Sequence, residues 1–140
     1  MNKATIIICG KQTDMLYCAA AETGYEQISG NSSAVFVAQN AKKSDGAPLT
    51  NADGTPVVEP PKAKLADYIY LAFAAVIAAY ECEGKNPPVT ANDILYKASP
   101  SEITEIITTI VRLRNEWYGI PTVVKPEEIS EEDGDTTKNA

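Results

Sequence analysis

The sequence predicts an α+β protein, with a small N-terminal β-hairpin or sheet and a short helix followed by a three-helix C-terminal half. Two observations carry that expectation. A β-branched apolar run, Ala-Thr-Ile-Ile-Ile-Cys, occupies residues 4–9, and residues 62–118 hold three stretches bounded by helix start and stop signals. The 140 residues suffice for one core, so we expect a compact domain over 1–122, interrupted by a long irregular loop at 31–61 and followed by an acidic, disordered tail at 123–140.

The first strand covers residues 4–9, Gly10, Lys11 and Gln12 supply a turn, and residues 13–17 return as the second strand. Residues 18–24, Cys-Ala-Ala-Ala-Glu-Thr-Gly, read as a short helix with Gly24 as its C-cap, and residues 25–29 add a further turn before Gly30. Residues 34–38 have strand character. The change to Asn, Lys, Asp, Gly, Thr and Pro over 39–61 predicts a loop that contributes little core and holds an irregular hairpin between residues 35–37 and 57–58.

A long helix is expected over 62–83, stopped by Gly84 and then Pro87 and Pro88. Thr90 with Asp93 three residues later opens a short helix ending near Ala98. Ser99, Pro100 and Glu102 form a fuller start signal for a last helix running to Tyr118, with Gly119 as its C-cap. Ile103, Ile106, Ile107, Ile110, Leu113 and Trp117 recur on one side of that helix, and Glu105, Thr109, Arg112 and Glu116 fall on the other.

Composition excludes several function classes. Twelve basic and nineteen acidic residues give a net charge of -7, of which -4 lies beyond residue 124, so binding to nucleic acid or an anionic membrane is not expected. The run after Lys3 is too short for a signal-peptide core, and the uncharged stretch 68–80 falls short of the about 20 residues that span a bilayer. The chain has no histidine, which removes the usual general base and the commonest metal ligand. Cys9, Cys18 and Cys82 lack zinc-ligand spacing and read as buried free thiols of a reducing compartment. The glycines at 24 and 30 lack the lysine and serine or threonine of a phosphate-binding loop, and the acidic run lacks the ligand spacing of a calcium loop. No catalytic, metal or cofactor site is expected, and the chain reads as a protein-binding molecule and not an enzyme.

One feature points to a binding surface. Residues 68–80 are apolar on every helical face, a pattern that demands burial on more than one side. If the Ile106, Ile110 and Leu113 stripe and the hairpin cover one face, Ala72, Ala75 and Ala79 are left on an open face where another backbone could approach; the competing reading is that these alanines seat a helix of the same chain. Trp117, Tyr118 and Ile120 read first as a core edge, with a contact surface as the alternative.

The order of motifs adds a resemblance. A hairpin turn Cys-Gly-Lys, the segment Met-Leu-Tyr-Cys-Ala-Ala-Ala-Glu-Thr-Gly, an uncharged Leu-Ala-Phe-Ala-Ala-Val-Ile-Ala-Ala-Tyr, then Val-Thr-Ala-Asn-Asp-Ile-Leu-Tyr-Lys-Ala-Ser-Pro-Ser-Glu-Ile and a closing Asn-Glu-Trp-Tyr-Gly-Ile-Pro follow one another. Over residues 4–30 and 65–121 this order resembles the tail assembly chaperones of long-tailed bacteriophages and prophages. The resemblance implies a homo-oligomer in the bacterial host cytoplasm that coats the tape measure protein, or another tail protein, while the tail tube polymerises. Under that expectation Leu71, Phe73 and Val76 join the alanines in a self-association or client surface. Two other classes fit the same composition: a small structural tail or head-completion protein that stays in the particle, and an acidic mimic of nucleic acid, which would need its charge on the folded body and not in the tail.

Overall fold

The computed structural model describes residues 2–40 and 46–120, and the fold is α+β. β1 (Lys3–Ile8) and β2 (Lys11–Leu16) form an antiparallel hairpin in which Lys3 faces Leu16 and Ile8 faces Lys11. The turn is Cys9-Gly10 and not Gly10-Lys11-Gln12. Both turn residues have positive φ, 52° and 77°, the pairing that suits the right-handed twist of a two-residue hairpin.

Among the described residues four α-helices follow: α1 (Ala19–Ser29), α2 (Leu65–Glu81), α3 (Ala91–Lys97) and α4 (Pro100–Tyr118). α1 does not end at Gly24. It runs on to Gly30, which takes the left-handed C-cap conformation, because Gly24 faces α2: a Cβ placed there would lie 3.4 Å from the Ala74 Cβ. The strand expected over 34–38 is replaced by a 3-10 turn, Ser33–Phe36, whose start is held by the Ser32 hydroxyl accepting from the Ala34 amide. Phe36 is drawn into the core, packed edge-on against Tyr25 and Tyr68. The irregular hairpin in the loop is present but shifted, with β3 (Gln39–Asn40) pairing β4 (Val58–Glu59).

The capping signals of the second half act as read. Thr90 and Asp93 bond reciprocally at the start of α3, as do Ser99 and Glu102 at the start of α4, and Gly119 closes α4 with φ 72°. The Glu102 carboxylate also accepts from the Gly10 amide at 3.3 Å, fastening the hairpin tip to the α3–α4 corner.

α2 is the central element. α1 lies along one flank, β2 along another, and α4 and α3 complete the enclosure, so none of residues 68–80 is exposed. Ile106, Ile110 and Leu113 of α4 are fully buried in the same cluster as Ile8, Met15, Tyr17, Leu71 and Val76. Thr109, expected on the polar side of α4, is buried, whereas Trp117 at the end of the stripe is partly exposed. The acidic tail expected over 123–140 lies outside the described residues.

Candidate functional site

The face expected to stay open on α2 is closed. Ala72, Ala75 and Ala79 are buried within the protomer, as are Leu71 and Val76, while Phe73 is half-buried. The physical reason is that α1, β2, α3 and α4 of the same chain surround α2. α1 covers the flank of α2 that carries Ala74 and Ala78, whose small side chains let the two backbones come close, while β2, α3 and α4 pack on its other sides. Ala72, Ala75 and Ala79 are therefore covered within the same chain, in line with the competing reading of the sequence.

Trp117 and Tyr118 stand differently. They are 39% and 46% exposed, yet both are held from below. The Trp117 ring lies 5.6 Å from that of Tyr17 and 4.9 Å from that of Tyr118, and the Arg114 guanidinium stacks 4.6 Å from the Tyr118 ring centre. One oxygen of Glu22 accepts from both the Tyr17 hydroxyl at 2.7 Å and the Tyr118 hydroxyl at 2.6 Å. Burial, and then the hydrogen bond to Glu22, push the Tyr17 phenol well above its ordinary pKa, so it remains a donor at neutral pH. Both readings of this aromatic pair meet here: it edges the core and also presents surface.

One accessible apolar surface is on α4. A hollow of about 430 Å³ is lined by Ile107, Thr108, Val111, Arg112 and Asn115, with the Arg112 guanidinium held by Glu116 at 3.0 Å. Val111, 38% exposed, and Asn115 also line a second hollow of about 150 Å³ with Phe36, Pro61, Tyr68, Leu71 and Arg114. Of the α2 residues expected in a binding surface, only Leu71 borders this pair. The Arg114 Nε beside it is buried without a hydrogen-bond partner. A further hollow of about 310 Å³ runs between α1 and α2, lined in part by Thr23, Gln27, Ile28 and Ile77. The α4 surface had a trace in the sequence: Val111 stands four residues after Ile107, displaced from the fully buried stripe, so one flank of the helix is apolar beyond what the core uses.

The thiols are not buried as expected. Cys82 is exposed, and Cys9 and Cys18 are half-buried. Burial, followed by the nearby Glu102 and Asp93 charges, raises the pKa of Cys9, the opposite of activation. Among the described residues no group of three or more Cys, Asp or Glu side chains could hold a metal ion, and no helix is long and apolar enough to cross a membrane. Compared with protein families, curated proteins and solved structures, the chain finds no match.

Proposed function

We infer that this chain is a protein-binding assembly factor of the kind its motif order resembles, a phage or prophage tail assembly chaperone. In this reading it self-associates, catalyses no reaction, and shields an apolar helical stripe of the tape measure protein, or of another tail protein, in the host cytoplasm until the tube encloses it. The observation that carries the reading is the pair of adjoining hollows sharing Val111 and Asn115. Their aliphatic and aromatic lining, from Ile107, Val111, Phe36, Tyr68 and Leu71, is the chemistry that receives one face of an amphipathic helix. This moves the client surface from α2 to the outer flank of α4. The segments that carry the resemblance, 4–30 and 65–121, also supply nearly all of the core, so the likeness lies in the fold-forming parts and not in the loop.

Co-expression with a tape measure protein of a long-tailed phage tests the reading. Val111→Glu places a charge in the apolar trough and is expected to weaken co-purification of the client by about tenfold or more while leaving the thermal melt unchanged. Undiminished capture by a folded V111E protein would remove α4 as the client surface. Mass spectrometry of finished particles is expected to find the chain absent; its presence would favour a resident structural component.

A further inference from the structure

The geometry of the N-terminal hairpin leaves one strand edge unused. Tyr17 donates its amide to the Asn2 carbonyl at 2.8 Å, which, with the register of the ladder, makes Ala4–Met15, Ile6–Thr13 and Ile8–Lys11 the hydrogen-bonded pairs. The amides and carbonyls of Lys3, Thr5 and Ile7 therefore point outward along β1, and none has a partner among the described residues. The outer edge of β2 is different, because the outward amide of Asp14 donates to the Tyr80 hydroxyl at 3.1 Å. Edge strands are normally shielded by charge, proline or a bulge. β1 has no proline and no bulge, its one charge is Lys3 at the end, and Thr5 and Ile7 are exposed.

We propose that the outer edge of β1 pairs with the same edge of a second copy of this chain, antiparallel about a twofold axis at Thr5. The result is a four-stranded sheet in the order β2, β1, β1, β2. The strand is self-complementary in that register: Thr5 meets Thr5, Lys3 meets the copy's Ile7 so that no like charges face, and Ala4 meets the copy's Ile6 on the side turned to the core. An isologous contact of this kind closes on itself, since the edges left outermost are β2 strands whose Asp14 amides are already taken. The pairing rests on the self-association in the proposed function and gives it a surface; client capture on α4 does not depend on it.

Light scattering on the full chain across a range of concentrations tests the pairing. The wild type is expected to show at least twice the 15.0 kDa chain mass. Thr5→Pro deletes an outward amide and the exposed Thr5 hydroxyl bond to Asp14 but leaves the backbone bonds to β2, made by Ala4 and Ile6, in place, so it is expected to give the single-chain mass with unchanged circular dichroism. Thr5→Cys supplies a second readout. Paired residues at the axis stand about 5.5 Å apart at Cα, inside the disulfide range, so mild oxidation is expected to link T5C chains covalently where the wild-type cysteines do not. A wild type that stays monomeric at every concentration, a T5P protein that keeps the wild-type mass, or a T5C protein that links no faster than wild type would each overturn the edge pairing. If T5P keeps the wild-type mass and still captures the client, the edge is wrong and the proposed function stands; if T5P is monomeric and neither protein captures the client, the reverse holds.

Discussion

Asp67, in the first turn of α2, accepts from the Tyr25 hydroxyl and the Asn31 amide on one carboxylate oxygen and from the Lys64 amide on the other. Burial raises its pKa, but these donors outweigh it and hold the carboxyl below its ordinary value. A depressed folded value means that the stabilisation is complete above the ordinary carboxylate range and is lost as pH falls through the folded value. Asp67→Ala is expected to cost about 1.5–3 kcal/mol at neutral pH. The gap to wild type, followed by urea unfolding at a series of pH values, should shrink below about pH 4. Asp67 was legible in the sequence only as the start of an apolar helix, because its partners Tyr25 and Asn31 lie some 40 residues away. Ala75 shows the converse: with no exposed surface, a charge there would report on folding and not on association.

At the scale of elements, α3 and α4 were legible to the residue because their caps are local. Serine or threonine followed three residues later by an acid meets its own backbone whatever the rest of the chain does. α1 was read in two pieces, a helix capped at Gly24 and a further turn before Gly30, because an interior glycine looks like a stop; the structure has one continuous helix whose Gly24 faces α2. The Cβ of an alanine at position 24 would make an ordinary contact with Ala74, and glycine within a helix costs about 0.5–1 kcal/mol relative to alanine. Gly24→Ala is therefore expected to stabilise the protein by up to about 1 kcal/mol, seen as a higher melting temperature; a lower one would mean that the α1–α2 contact cannot accept a methyl group. The missed 3-10 turn at Ser33–Phe36 has the same origin, since the burial of Phe36 between Tyr25 and Tyr68 is a long-range event.

At the scale of the whole molecule, Glu22 ties the two ends of the described fold together, joining α1 to Tyr118 across 96 residues of sequence and to the end of the hairpin through Tyr17. Glu22→Ala would leave the buried Tyr17 hydroxyl without its acceptor, at a cost of about 1–3 kcal/mol. Trp117, the single tryptophan, packs at a tilt against Tyr17 and should report the loosened end as a red-shifted emission before global unfolding, with Glu22→Gln, which keeps an acceptor, nearer to wild type. Unchanged emission in E22A would show that ring packing alone holds the last turn of α4. The α+β class, the hairpin followed by helices and the caps of α3 and α4 were determined by the sequence itself, because hydrophobic period and capping act within a few residues of one another. Which faces remain uncovered was decided by the tertiary structure alone. An apolar residue carries the same pattern whether its neighbour is its own chain or another molecule, and only the path of the chain in space enclosed α2 among α1, β2, α3 and α4 and left Val111 and the edge of β1 facing outward.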